Sequence, residues 1–202
     1  MAAREILPGI ETWQWFSERH GYDFNGYLLR DAGGNVAVDP VEMPAEVLAG
    51  LARSGVSRIV LTNRNHFRAA ARLKKETGAR ISVHPADAAF VRAQDVPVDD
   101  ELAIGARLSQ GFEVVDASGK SPGEVALWNA ERRVLMVGDA CVGKPPGALA
   151  LLPAKVIDEL PRLHASLRRL AELPAEAVLV GDGAPLLRGG QAALRALVQG
   201  FA

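Results

Sequence analysis

Cysteine is almost absent from this sequence. The single one is Cys141, so neither an intrachain disulfide nor a cysteine zinc cluster can form. Histidine is also scarce. No two of the 4 histidines are closer than 18 residues, so the chain lacks the His-x-His and His-x-x-x-His spacings of common zinc sites. Zinc sites built from closely spaced histidines are therefore not predicted.

Long apolar runs and an excess of charge are missing as well. No stretch of about 18 uninterrupted apolar residues occurs, so a membrane-spanning helix is not predicted. The first residues contain no basic segment followed by a long apolar stretch, which argues against a signal peptide and makes the cytoplasm the expected compartment. The formal net charge of -1 favours neither nucleic acid nor a membrane surface as a partner.

What remains is ordinary globular composition, with 49% hydrophobic and 23% charged residues in a chain of 202. A chain of this length can bury a substantial core, and no repeat, low-complexity tract or linker interrupts it. We therefore predict a single domain over residues 1–202.

The hydrophobic pattern switches repeatedly between strand and helix signals. Strand-like runs fill much of the first third and the middle of the chain, and residues 57–62 and 177–180 are continuous apolar runs typical of buried strands. Helices are predicted over residues 67–77 and 154–173, and the second contains Pro161, so it should kink or begin late. This order suggests two sheets between layers of helices.

Six parts of the chain follow one another in a recognisable order. They are residues 25–29 with 36–40, 63–68, 73–79 with 83–88, 119–125, 137–139, and 165–170 with 178–183. In this order they resemble loops and elements of the metallo-β-lactamase superfamily. The resemblance extends over nearly the whole chain. It implies an α/β fold, a four-layer αβ/βα sandwich of two mixed β-sheets.

The resemblance also implies metal ligands, at positions where this chain carries other residues. The family's His-x-His-x-Asp-His signature and two later loops bind two zinc or similar ions that activate a hydroxide. Carried over position by position, the five family histidines become Asn63, Asn65, Arg68, Lys120 and Asp182. The signature aspartate becomes Phe67, and of the family's ligands Asp139 alone remains.

These substitutions oppose metal binding. An amide oxygen is a poor ligand for zinc, and a cation at a ligand position repels a divalent ion. We therefore expect no metal and no other cofactor. Because Arg68 and Lys120 are cationic while Asp139 and Asp182 are anionic, we predict that these four groups form a salt-bridged network in place of the metals.

The residues expected to bind a ligand in this cleft are Asn63, Asn65, His66, Arg68, Lys120, Asp139 and Asp182. No catalytic residue is assigned, but if an activity remains, the candidates are Asp139, Asp182, Lys120 and His66.

The remaining reactive side chains have simpler interpretations. His66 lies between two lost ligand positions and is expected to start a helix as a capping or surface residue, although a role in the site stays open. His84 could approach the cleft, but a satisfied loop histidine is favoured. His164 should pack beside a helix stripe, His20 should be exposed, and Cys141 should be a buried small residue rather than a nucleophile.

Three functions stay open at this point. In the first, the protein is non-hydrolytic, and Arg68, Lys120 and the backbone amides of the 63–66 and 120–123 loops receive a phosphate or carboxylate of a small anionic ligand. In the second, it hydrolyses an ester, thioester or lactam, either without metal or with a single ion on Asp139, Asp182 and His66 or His84. In the third, it is a subunit whose cleft residues have decayed and which functions through its surface. A homodimer is possible.

Overall fold

Two mixed β-sheets face each other in the structure, a computed structural model that describes residues 3–201. The first sheet contains seven strands in the order β1 to β7: β1 (Arg4–Leu7), β2 (Ile10–Ser17), β3 (Tyr22–Leu29), β4 (Asn35–Val38), β5 (Val56–Leu61), β6 (Arg80–Val83) and β7 (Asp100–Glu101). The second contains four in the order β11-β10-β9-β8: β8 (Glu113–Asp116), β9 (Val125–Asn129), β10 (Val134–Met136) and β11 (Ala177–Leu179). Strands β1 to β4 are antiparallel and β4 to β7 parallel, while β11 runs parallel to β10 beside antiparallel β9 and β8.

Helices cover the outer faces of both sheets. They are α1 (Ala45–Arg53), α2 (Ala70–Thr77), α3 (Pro85–Arg92), α4 (Leu160–Ala171) and α5 (Gly190–Gln199). Side chains from α1 to α3 pack on the first sheet, and side chains from α4 and α5 pack on the second. On β5, Ile59 points toward the helices and Val60 toward the other sheet, as the two-residue period of a strand requires. The expected four-layer αβ/βα sandwich is confirmed.

The ends of two helices follow from single residues. Helix α2 ends at Gly78, whose backbone is left-handed at φ 73° and whose N–H donates to the Lys74 carbonyl at 2.8 Å. Helix α4 begins late, as predicted, because Pro161 is tolerated only in a first turn. Its apolar stripe includes the buried Leu163 and Leu167.

Two parts of the prediction need correction. Helix α2 begins at Ala70 rather than at residue 67, because residues 65–69 form turns. The short strands β1 and β7 were not predicted. Both lie at the edges of their sheet, β1 has only four residues of which two are charged, and both residues of β7 are acidic. None of the helices in residues 3–201 has the length and apolar character needed to cross a bilayer.

Candidate functional site

Four strand ends bring the candidate residues to one place. Asp39 follows β4, and Thr62 and Asn63 follow β5. Asp139 and Asp182 come after β10 and β11 in the second sheet. Because β4 is parallel to β5, and β10 to β11, the loops of each pair leave their sheet at the same edge. The facing sheets thus place these side chains around one cleft.

A buried histidine joins the two sheets at this edge. His66 is 0% exposed, with Nδ1 2.9 Å from Asp39 Oδ2 and Nε2 3.0 Å from Asp139 Oδ1. Asp39 is held in turn by Thr62, whose backbone N–H and hydroxyl donate to its two carboxylate oxygens at 2.8 and 2.6 Å. The expectation of a capping or surface histidine was wrong, because the turns before α2 carry this imidazole into the interior.

Two cations complete the set. Lys120 Nζ lies 3.0 Å from Asp139 Oδ2 and also donates to Asn65 Oδ1 at 2.5 Å. Arg68 Nη2 lies 3.4 Å from Asp182 Oδ1, and the Arg68 guanidinium covers the ring of Phe24 at 4.0 Å from its centroid. The predicted pairing of two cations with two aspartates is therefore present, but His66 was missing from it.

The charges of this cluster set one another's protonation. Burial alone would lower the pKa of His66, but the carboxylates of Asp139 and Asp39 outweigh it and raise this pKa to about 10. Burial would raise the pKa of Asp139, yet His66 and Lys120 hold it well below its usual range. Burial and the charge of Asp139 raise the pKa of Asp182 to about 6. At neutral pH, His66 is therefore an imidazolium between two carboxylates.

A fourth acid, Glu124, lies beneath the cluster and was not predicted. Its Oε1 accepts the backbone N–H of Asp139 at 2.7 Å and the amide of Asn63 at 3.2 Å, while its buried Oε2 has no hydrogen-bond partner among the described residues. Burial, and then the charge of Asp139, raise the pKa of Glu124 to about 8, so it is mostly neutral at pH 7.

We call these seven residues the floor of the cleft: Asp39, His66, Arg68, Lys120, Glu124, Asp139 and Asp182. With Glu124 neutral, three aspartates face an imidazolium, an ammonium and a guanidinium. The formal charge of the floor is then balanced by the chain itself.

The floor does not fit the two metal ions that the resemblance implies. Donor atoms of His66, Asp139 and Asp182 lie within 4.8 Å of one another, close enough to share an ion. However, both ring nitrogens of His66 already contact carboxylates, Nδ1 that of Asp39 and Nε2 that of Asp139, whereas a metal ligand must turn a free lone pair toward the ion. Lys120 and Arg68 also contact the carboxylate oxygens that an ion would need. The arrangement suits side-chain cations rather than a divalent ion.

Part of the predicted anion cradle of backbone amides is already engaged, because a buried aspartate accepts hydrogen bonds from both of its loops. Asp87, 0% exposed on α3, accepts the backbone N–H of Arg64 at 2.8 Å, the Ser121 hydroxyl at 2.6 Å and the backbone N–H of Gly123 at 2.9 Å. The backbone N–H of Asn65 donates to the side-chain oxygen of Asn63. Asp87 thus ties together the two loops that were expected to hold a ligand.

Above the floor lies an open cleft of about 960 Å³. Of the predicted ligand-binding residues, Asn65, Arg68, Lys120, Asp139 and Asp182 line it. Asn63 and His66 are buried beneath this surface and make structural hydrogen bonds instead.

Three more cations line the cleft and form what we call its rim: Arg19, Lys144 and Lys155. All three are exposed, and no carboxylate pairs with them among the described residues. Lys144 Nζ instead lies 4.8 Å from the centroid of the Tyr22 ring. Arg64 also lines the cleft but pairs with Asp158 at 2.8 Å.

The other reactive side chains behave largely as expected. His84 caps α3 by accepting the Ala86 N–H at 3.3 Å, and His164 stacks on Phe201 at 3.9 Å. His20 is exposed but also lines the cleft. Cys141 is 0% exposed, and burial raises the pKa of its thiol, so it is no ready nucleophile.

Comparison with known proteins decides the family. The sequence profile of the metallo-beta-lactamase superfamily matches residues 5–201, almost the whole chain. The chain belongs to this superfamily. A metallo-beta-lactamase from Pontibacter korlensis superposes with a TM-score of 0.80 at 18% identity, over 98% of each chain.

Two further relatives bear on chemistry. A hydroxyacylglutathione hydrolase from Ectopseudomonas mendocina (strain ymp) is 33% identical over an alignment of 156 residues, and the match covers 73% of this chain and 56% of the relative. The match thus spans little more than half of that enzyme's length. The second relative is TTHA1623, whose structure was solved in a di-iron-bound form. It is 28% identical to our protein and superposes with a TM-score of 0.65. The match covers 90% of our chain and 96% of TTHA1623.

Proposed function

We propose that this metallo-β-lactamase-fold protein works without the dinuclear metal centre and is non-hydrolytic, binding a small anionic ligand in the cleft. The observation that supports it most directly is the Lys120 ammonium, 3.0 Å from Asp139 Oδ2, an oxygen that a metal would need. The imidazolium of His66 holds the other oxygen of the same carboxylate. Each oxygen of Asp139 therefore already contacts a side-chain cation, and an ion would have to compete with both.

An anion is the expected ligand because of the charge that remains above the floor. The floor is balanced, and the Arg64–Asp158 pair neutralises itself. Within residues 3–201, the charged groups that line the cleft and remain unpaired are the three cations of the rim, so the accessible cleft carries excess positive charge.

Metal analysis tests the metal-free part of this proposal. Protein purified without chelator and without added metal should contain well below one equivalent of zinc, iron or manganese by plasma mass spectrometry. A positive control is the variant Asn63→His/Asn65→His/Lys120→His, which restores three family histidines and should gain zinc. One equivalent of metal in the unmodified protein would overturn the proposal.

Thermal-shift screening tests the ligand part. Small carboxylates and phosphates should raise the melting temperature in a concentration-dependent way, because a ligand that binds only the folded state stabilises it. Neutral analogues of the same size serve as controls. If no anion in a broad panel produced a shift, anion binding would have to be abandoned.

Hydrolysis remains the second candidate, because the 33% identical relative is named as a hydroxyacylglutathione hydrolase. A hydroxyacylglutathione thioester is thus the first substrate to assay, with and without added zinc or manganese. Turnover that Asp139→Asn abolishes and that metal restores to stripped protein would favour this function. Turnover that persists in chelator would favour a metal-free hydrolase, and either result would end the non-hydrolytic proposal.

A further inference from the structure

From the composition of the cleft above its floor, we infer that the ligand is an amphipathic anion, with a linear aliphatic group joined to one anionic head. This inference rests on the proposed function and narrows it to a chemical class. It assigns the aliphatic group to the wall formed by Ala150, Leu151, Leu152 and Val156, and the head to the rim.

The wall of the cleft is aliphatic and partly exposed. Leu151 and Leu152 are half-buried, and Val156 is 45% exposed, yet all three line the cleft. Covering such apolar surface is favourable in proportion to the area removed from water. A ligand that lay along this wall would remove this surface from water, and a purely hydrophilic anion would not.

The wall is also held in place at both ends. Val142 and Ala150 exchange backbone hydrogen bonds, each at 2.9 Å, so the segment starts from a fixed pair. At its far end, Glu159 N–H donates to the Gly119 carbonyl at 2.8 Å, next to Lys120 of the floor. The aliphatic surface is therefore part of the built cleft.

The phenylalanine and tyrosine rings that line the cleft, by contrast, each carry a cation on one face. The Arg68 guanidinium covers Phe24, and the Lys144 ammonium covers Tyr22. The apolar surface left for a ligand is thus mostly aliphatic, which favours a flexible hydrocarbon group over a stacked ring.

The head must sit at the rim, because the floor has no spare positive charge. Each floor cation already contacts an aspartate, whereas Arg19, Lys144 and Lys155 contact no carboxylate in residues 3–201. A carboxylate or phosphate there gains charge-assisted contacts without breaking an existing pair. With a volume of about 960 Å³, the cleft is within the range of small-molecule sites.

Titration calorimetry with three probes tests this assignment on the full chain. Decanoate carries both parts of the inferred ligand, acetate has the head alone, and decanol has the chain alone. We expect decanoate to bind roughly tenfold or more tightly than either partial probe, because several methylenes and one charge are each recognised.

Matched variants separate the two contacts. Lys144→Gln/Lys155→Gln should weaken decanoate roughly tenfold, and Val156→Ser should weaken it by a few-fold. The controls are Lys75→Gln, an exposed lysine of α2, and Ile104→Ser, a residue 47% exposed and outside the cleft. Both controls should bind decanoate like the unmodified protein.

The outcomes distinguish this inference from the proposed function. Acetate or phosphate binding as tightly as decanoate would overturn the amphipathic assignment and leave anion binding intact. Equal effects of the controls and the cleft variants would also overturn it, because the probe would then bind elsewhere. No binding by decanoate or by any anion would overturn both.

Discussion

At the floor of the cleft, His66 and Lys120 are buried and each contacts an aspartate, whereas at the rim Lys144 and Lys155 are exposed and contact no carboxylate among the described residues. Both regions contain cationic side chains, but His66 and Lys120 in the floor are buried and paired, whereas those of the rim are exposed and, within residues 3–201, unpaired. Buried cations satisfy buried carboxylates and so hold the fold together, while exposed cations cost little to leave unpaired and can attract a ligand. The comparison predicts that changes to the floor alter stability and changes to the rim alter binding.

His66→Gln should have the largest effect. Removing the imidazolium leaves Asp39 and Asp139 as neighbouring buried carboxylates, and breaking a buried pair in this way costs roughly 3–5 kcal/mol. Urea unfolding would measure the loss, with His164→Gln, a half-buried histidine outside the cleft, as control. A loss below that of the control would mean that the floor is not held by charge.

Gly123→Ala tests the loop that carries Lys120. An added Cβ would lie 2.7 Å from Asp87 Cγ and 2.9 Å from Asp87 N, so one of the two must move. Such overpacking destabilises by roughly 1–3 kcal/mol. The control Gly50→Ala meets nothing within 4 Å and lies in α1, where alanine is the better helix former, so it should not destabilise. Equal stability of both variants would contradict the tight packing of Asp87.

Glu124→Gln should change the pH dependence of stability. The folded state keeps the Glu124 proton up to about pH 8, whereas the unfolded chain loses it near 4.5, so this residue makes stability fall as pH rises between these values. The neutral amide removes that loss, so the stability of the variant relative to the unmodified protein should rise by roughly 3 kcal/mol between pH 5 and pH 8.

Chemical unfolding at both pH values would measure this difference, and subtracting the two proteins cancels the titrating groups that do not interact with Glu124. Glu131→Gln, at an exposed position, is the control and should show no pH-dependent difference. A constant offset at pH 5 and pH 8 would show that Glu124 does not hold its proton in the folded state.

Neutralising the rim should have the smallest effect on folding. The triple variant Arg19→Gln/Lys144→Gln/Lys155→Gln removes exposed charges without carboxylate partners, and such surface changes usually stay within about 0.5 kcal/mol. Urea unfolding beside the unmodified protein would measure it. A loss comparable to that of His66→Gln would erase the distinction between floor and rim.

Much of the fold could be predicted because its buried strands are apolar. Residues 57–62 were predicted as a buried strand, and β5 spans Val56–Leu61. The predicted strand at 177–180 is likewise β11, Ala177–Leu179. The edge strand β7 has only two residues, both acidic, so no periodic signal could reveal it.

The site was predictable only where charge alone decided. The contact between Lys120 and Asp139 could be predicted from the sequence, because opposite charges at family ligand positions have few other partners. His66 could not be placed, since its burial depends on Asp39 and Asp139, which are distant in sequence. For Asp87, the sequence could indicate a position in the first turn of α3, where an acidic residue is favourable. It could not indicate which loops this side chain would bind.

The side chain of Asn25 on β3 has a mechanical consequence for the cleft. Its amide donates to the carbonyls of Val180 and Gly183, at 3.0 and 2.8 Å, so it fastens the first sheet to the loop that carries Asp182. Tyr27 adds a third bond to Val180 at 2.7 Å. Sliding one sheet over the other would break all three hydrogen bonds and leave their buried polar groups without partners. Any adaptation to a ligand must therefore come from side chains that line the cleft, while the two sheets keep their relative position.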